Sequence, residues 1–494
     1  MYPCSPCRAG RAARAGALRR TASVALAVAS LMLSPGVGAR PAKGGCRLTG
    51  PVPGFRLRCT SVIVGRGATA DGSVILAHNE DLGDSAVHHY VAVPRRSHAP
   101  GEVVTLWSGA TLPQVPVTWA YTATTLFDVA WVPGDVTSGV NERQVAVVND
   151  SAQLRDAGGS STSGGRVLWS EFSRLALERA ETARQAVRVI GELAEKHGLG
   201  GDSATMFGVT DATEGWWIEI TRDGQWVAER VPDDGASVRA NAFRVGVVDL
   251  GNPDRFMGSA DLVSHAEARG WYARSDGPFD FARAYGDART AAAAWNTHRE
   301  ERVRDLLGTF PRAVKPSDLM AVLRDHYEGT SRDLTGGYAL GSPHGTDEYT
   351  VCRRETEVAV VFQSRSWLPP EIGAVSWRAM ATPCTSPFVP WYLGGTYVPT
   401  SYRTGSPSRK ESSAYWAFRN LFASVDDDYA GRIGPVRRTW RDFEAGEASD
   451  QARMEAAALK LHGTDPGAAR RMLTAFSDTR ALLACQRARA LVSR

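Results

Sequence analysis

The stretch that most constrains this chain is Cys59-Thr60-Ser61-Val62-Ile63-Val64-Gly65, followed by Asp71-Gly72 and then Ser73 to Ala77. Thr60, Val62 and Val64 point one way and Ser61 and Ile63 the other, the period-two pattern of a strand. Asp71-Gly72 is a strong two-residue hairpin signal, and Ser73 to Ala77 reads as the return strand. Next comes the polar run His78-Asn79-Glu80-Asp81. This part of the chain is therefore expected to form antiparallel sheet, with a thiol at the head of its first strand.

That position matters for chemistry. If the 58–59 bond is cut, Cys59 carries both a nucleophilic thiol and a free α-amino group. A free α-amine ordinarily titrates at about 7.7–8.0, so it can serve as the base for its own thiol near neutrality. The rival reading at this point is a disulfide between Cys59 and Cys46, which suits an exported protein, and spacing alone does not separate the two.

The first 39 residues read as a signal peptide. Arg8, Arg11, Arg14, Arg19 and Arg20 make a basic start, Ala22 to Leu33 is apolar but short for a membrane span, and Val37-Gly38-Ala39 offers a cleavage site. Residues 40–58 lack periodicity and read as a linker or propeptide. An exported location follows as an expectation (secreted, periplasmic or cell envelope), with no stable membrane insertion once the leader is gone.

The remaining cysteines, Cys352, Cys384 and Cys485, lie far apart, and Cys4-x-x-Cys7 falls inside the leader. No disulfide scaffold, H-x-x-x-H or metal knuckle is read, so no cofactor and no metal are expected. With 57 basic and 53 acidic residues the formal net charge is only +4, and the arginines alternate with acids along the chain. That pattern is a solvated surface, not a nucleic-acid footprint.

Further strands are expected at His89–Val93, Gln144–Asn149, Met206–Val209, Gly215–Thr221, Gln225–Val231, Asn241–Val248, Glu357–Gln363 and Gly373–Trp377. Helices are expected over Arg166–Ala180, then from a Thr182 N-cap to Gly198, within Phe279–Leu307, over Ser317–Tyr327, and from Ser412 onward with breaks at Pro435 and Pro466. Trp216, Trp217 and Trp226 read as sheet packing, and Arg365 as a buried ion-pair residue. Strands, helices, strands and helices in that order fit an α+β domain of antiparallel sheets covered by helices.

Several motifs in one order resemble the dipeptidase A family of cysteine N-terminal-nucleophile (Ntn) hydrolases, relatives of the secernins. They are Cys59 to Gly65, Ala70-Asp71-Gly72-Ser73, His78-Asn79-Glu80-Asp81, Gly139-Val140-Asn141-Glu142, Leu168-Trp169-Ser170-Glu171, Thr182 to Val187, Gly215-Trp216-Trp217, Trp226 to Asp234, Asn241 to Gly246, Phe279 to Tyr285 and Gln363 to Pro369. The resemblance implies an αββα four-layer sandwich over residues 59–405. Residues 406–494 are expected to form a helical C-terminal extension packed on the same domain. It implies an amide-bond hydrolase acting on short peptides, with a homo-oligomer left open.

By the same resemblance Cys59 is the nucleophile, exposed by cleavage after Arg58, and Asp81 is the carboxylate that holds the α-amine. Asn149 and Asn241 are the polar residues facing the developing oxyanion or substrate amide, with Asp150 competing with Asn149. Arg283 is a loose match to a site arginine. The family motif usually begins with Arg where this chain has His78, which carries a positive charge only when protonated. Two other functions stay open: an amidohydrolase of the penicillin V acylase and bile salt hydrolase kind, acting on N-acyl small molecules, and an exported binding protein with a Cys46–Cys59 disulfide.

Overall fold

The computed structural model describes residues 58–82, 87–126, 136–156, 165–201, 203–310, 313–408 and 410–493. All of these fall in the compact unit Gly54–Arg494. The signal-peptide reading of 1–39, residues 40–57 of the linker or propeptide, and Cys46 lie outside the described residues.

The hairpin forms as β1 (Thr60–Val64) and β2 (Val74–Asp81), paired antiparallel with Ser61 opposite His78 and Val64 opposite Ile75. Its connection is longer than a two-residue turn. It runs from Gly65 to Ser73, and the Asp71-Gly72 signal marks only its last bend, where Gly72 takes φ +82° and Asp71 Oδ1 accepts from Ser73 N at 3.1 Å.

β1 and β2 lie inside a six-stranded sheet in the order Ala236–Arg239, β1, β2, Thr356–Ser364, Val375–Met380, Val389–Tyr392. An eight-stranded sheet faces it, with Ala146–Ala152 and Ala204–Thr210 near its middle. Between the sheets lie Ile63, Leu76, Val148, Trp217, Val360 and Phe362. Strand alternation sends the neighbours of these residues outward. On the eight-stranded sheet, Val147, Phe207 and Ile218 pack under α1 (Trp169–Arg179) and α2 (Ala183–His197). On the six-stranded sheet, Val62, Ala77, Val361 and Trp377 pack under helical residues Val303, Leu319 and Met454. Helices, sheet, sheet and helices make the expected αββα sandwich.

Local signals explain several element ends. Thr182 Oγ1 accepts from Gln185 N at 3.1 Å and starts α2 as expected. Pro435 does not end a helix; Tyr429–His462 runs through it, with Ile433, Val436, Trp440 and Phe443 buried. Packing along this helix outweighs the one backbone bond that proline removes. Pro466 stands at the first position of Pro466–Val492, where its missing N–H has no cost.

The expected strand Asn241–Val248 does not form. Buried Glu219 Oε1 takes the amides of Arg244 (2.7 Å) and Val245 (3.0 Å), and Asn296 Oδ1 takes that of Asn241 (2.8 Å). Side chains satisfy these backbone donors, leaving no ladder for them to join.

The C-terminal helices share the sheet's core. Tyr415, Phe418, Trp440 and Cys485 cluster with Met380, Val389 and Trp391. Arg365 is a buried ion-pair residue, with Nη1 and Nη2 on Glu455 at 2.8 and 2.9 Å. Trp216, Trp217 and Trp226 are buried in sheet packing. No helix among the described residues is long and apolar enough to cross a membrane.

Candidate active site

The register of the hairpin builds the site. Ser61 opposite His78 continues, one pair outward, to Cys59 beside Glu80 on the face turned toward the second sheet. The Cys59 thiol donates to Glu80 Oε1 at 3.5 Å, and its sulfur accepts from Asp81 N at 3.5 Å. The side chain is 1% exposed and the thiol is free.

A chain of hydrogen bonds leads away from the thiol. Glu80 Oε2 lies 3.1 Å from His78 Nε2, His78 Nδ1 lies 2.7 Å from Ser61 Oγ, and Ser61 Oγ donates to Asp150 Oδ2 at 2.7 Å. With the serine proton given to Asp150, both ring nitrogens of His78 face oxygens able to accept from them. His78 is therefore set between Glu80 and Asp150 in surroundings that favour its charged form. Burial alone would lower its pKa, but the hydrogen bond to Glu80 and the charges of Glu80, Asp150 and Asp81 lift it above the ordinary value. The residue that stands where the family motif has arginine is thus biased toward its charged form.

The same surroundings act on the acids. Burial pushes Asp150 up to about 7 against the pull of His78 and Ser61. Burial also pushes Asp81 up to about 7 against Arg353, Thr356 and Arg299. The Cys59 thiol rises well above its usual range through burial, then through Glu80, Asp150 and Asp81. With Arg58 attached, Cys59 is a covered thiol held in its neutral form.

Asp81 points to the other face of β2. Its Oδ1 accepts from Thr356 Oγ1 at 2.6 Å, and Arg353 Nε is 4.0 Å from Oδ2. That Oδ2 is buried with no hydrogen-bond partner among the described residues, so one acceptor stands ready beside the head of β1.

The arginine of this site is Arg299, which sequence reasoning missed. It sits on the helix Ala294–Thr309 with Asn296, Glu300 and Val303 on the same buried face. Its Nη1 donates to the Arg58 carbonyl at 2.6 Å, to the Cys59 carbonyl at 2.8 Å and to Thr60 Oγ1 at 3.0 Å. Its Nη2 donates to Asn241 Oδ1 at 2.9 Å. Arg283 is elsewhere, on the short helix Phe281–Tyr285.

The two candidate asparagines separate. Asn241 joins the site through Arg299, and its own Nδ2 donates to Ser151 O at 3.1 Å. Asn149 does not join it. It pairs with Phe207 on the helix-covered face of its sheet and donates to Thr137 O at 2.8 Å. Its neighbour Asp150 takes the inward position because successive strand residues face opposite sides.

Known proteins match this chain over most of its length. A probable dipeptidase of Salmonella dublin is 29% identical over 68% of this chain and 81% of its own. A probable dipeptidase of Latilactobacillus sakei is 25% identical over 82% and 87%, and a dipeptidase of Bifidobacterium longum is 25% identical over 77% and 80%. Among solved structures, penicillin V acylase from Agrobacterium tumefaciens superposes at TM-score 0.34 with 12% identity over 68% of this chain and 86% of that one, too loosely to argue from. The sequence profile of peptidase family C69 matches residues 58–442, from the residue before the buried thiol to the C-terminal helices. The chain belongs to peptidase family C69, and it is an amide-bond hydrolase.

Proposed function

We propose that this chain is an exported cysteine dipeptidase whose site opens when the Arg58–Cys59 bond is cut. One observation carries the reading: the carbonyl oxygen of Arg58, directly before the buried thiol, is held at 2.6 Å by a buried guanidinium. A carbonyl polarised in that way is prepared for attack, and the same donor stabilises the oxyanion that follows.

Processing and turnover need different bases. In the uncleaved chain the nitrogen of Cys59 is an amide, so Glu80, hydrogen-bonded to the thiol, takes its proton. The sulfur adds to the Arg58 carbonyl carbon, the C–N bond breaks as the Cys59 nitrogen gains a proton, and water hydrolyses the thioester. The new α-amine then becomes the base for later cycles. Asp81 Oδ2 is the acceptor that orients it. With a dipeptide the same steps follow: thiolate attack, proton transfer from the α-amine to the leaving amine, and hydrolysis of the thioester.

The thioester formed in processing has the same linkage as the one formed from substrate. Arg58 therefore marks where the first residue of a dipeptide lies. Its guanidinium sits 4.6 Å from the Trp295 ring and 4.1 Å from that of Tyr349, a ring that also carries Arg353. A basic or aromatic first residue suits that slot.

Two measurements test the reading. The secreted enzyme should begin at Cys59 by N-terminal sequencing, and it should hydrolyse dipeptides in preference to N-acyl amino acids. Active protein still carrying Arg58 would end the mechanism. Preference for N-acyl substrates would move the chain to the acylase reading.

A further inference from the structure

Beneath the C-terminal helices lies a second cysteine cluster that the hydrolysis does not use. His326, His344, Cys352 and Cys384 each aim one ligand atom at a common centre, all within 4.8 Å of one another. His326 Nε2 and His344 Nε2 are 3.1 Å apart, and Cys384 Sγ is 3.8 Å from His344 Nε2. A tetrahedral zinc with ordinary bond lengths sets N···N edges at about 3.3 Å and N···S edges at about 3.6 Å. Both observed edges fall close to these values.

The outer hydrogen bonds decide which atoms face inward. His344 Nδ1 lies 3.0 Å from Asp426 Oδ1, and His326 Nδ1 lies 3.3 Å from Glu328 Oε1. Carboxylates only accept, so each Nδ1 is placed to carry a proton, and each Nε2 faces inward, where it can take a metal once it is deprotonated. The two Nε2 atoms, 3.1 Å apart beside two buried sulfurs, share at most one proton between them, a place that a metal ion can take instead. The carboxylates are themselves held by cations: Arg354 on Asp426 at 2.5 Å and Arg437 on Glu328 at 3.3 Å. Carboxylate, imidazole, metal is the usual order of such second shells.

The place in the fold argues the same way. From Leu323 to Arg353 the only regular element among the described residues is the single turn Pro343–Gly345. Long irregular stretches inside a compact domain need something to fix them. Three of the ligands come from this stretch and the fourth, Cys384, from the turn Pro383–Thr385. A metal would tie both to Asp426, at the end of the helix Ala414–Asp426. The histidine side chains have no exposed surface, and Cys352 and Cys384 are 0% and 1% exposed, so no ligand position opens to substrate.

We propose that His326, His344, Cys352 and Cys384 form a closed structural site for one zinc ion. Two thiolates balance the charge of Zn²⁺, and two neutral imidazoles complete the tetrahedron. Binding releases the thiol protons and changes no oxidation state.

The full-length protein, purified in reducing buffer without chelator after growth with added zinc, tests this by elemental analysis. One zinc per chain is expected, held until guanidinium unfolds the protein and releases it to a colorimetric chelator. X-ray absorption at the zinc edge should fit two sulfur and two nitrogen neighbours, a readout that needs no variant. Cys384→Ser and His344→Ala, where they fold, should each lose most of the metal, while Cys59→Ala should keep all of it. Less than one tenth of a zinc per chain, a Cys352–Cys384 disulfide in the non-reduced peptide map, or metal lost with Cys59→Ala would each overturn the proposal.

Discussion

At the head of β1, Cys59 meets His78 and Glu80; under the C-terminal helices, Cys352 and Cys384 meet His326 and His344. Both groups are buried and both place soft and basic atoms within reach of one ion. They differ in what surrounds the histidines. His78 has hydrogen-bond partners on both ring nitrogens, Ser61 Oγ and Glu80 Oε2, so a metal there would have to displace one of them. His326 and His344 each have one carboxylate on Nδ1 and turn Nε2 inward. A histidine bonded on both sides is suited to hold charge beside a thiol, whereas one bonded on a single side is suited to be a ligand. The neighbours of each ring, more than its presence beside a cysteine, set its task.

The largest test of that contrast is Cys59→Ala. It should abolish turnover, on the order of a 10⁶-fold loss, and leave the bond after Arg58 intact by mass spectrometry. Processing that continues normally would assign the cleavage to another protease.

At the second cluster, Cys352→Ser should act on folding. Losing a structural metal ligand belongs among the severe single changes, above ~4 kcal/mol, measured as a shift in the denaturant midpoint of the purified enzyme. An unchanged midpoint would remove the contrast altogether.

Arg299→Ala comes next. The guanidinium holds the carbonyl before Cys59, so kcat should fall roughly 10²–10³-fold in already processed enzyme, where folding and turnover can be scored separately. A loss confined to KM would make Arg299 a binding group only.

Trp295→Ala should narrow the advantage of arginyl over alanyl dipeptides by roughly 5- to 30-fold in kcat/KM. Equal effects on both substrates would show that the slot does not read the side chain.

The smallest effect concerns pH. His78 has a raised pKa, so its charge persists below that value and is lost as pH rises through it. Activity that needs the imidazolium should therefore fall on the alkaline side, while the α-amine sets the acid side. His78→Arg should move the alkaline limb upward by about one pH unit or more. A profile unmoved by this change would free His78 from any electrostatic role.

Much of the frame was readable along the chain. Period two set β1 and β2 and Thr182 set the start of α2, but Glu80 was not singled out, although from His78 the same period puts it on the thiol's face. Asp150 was visible as a rival to Asn149 but could not be chosen, because the choice depends on which face of its strand meets β1. Arg299 carried no local signal at all. It lies on a helix 240 residues from Cys59 and reaches it only once the helix packs across the strand ends. The strand expected at Asn241–Val248 failed for a related reason, since distant Glu219 and Asn296 claimed its amides.

By itself the sequence determined the two strands of the hairpin, the thiol at the head of the first, and the succession of strands and helices, all set by backbone periodicity, while the order of layers was implied only by the family resemblance. Only the tertiary structure decided which arginine holds the carbonyl before Cys59, which of two adjacent polar residues faces His78, and that four residues spread from His326 to Cys384 lie together. Those are contacts between elements far apart in the chain, and they exist only after the sheets stack and the helices close over them.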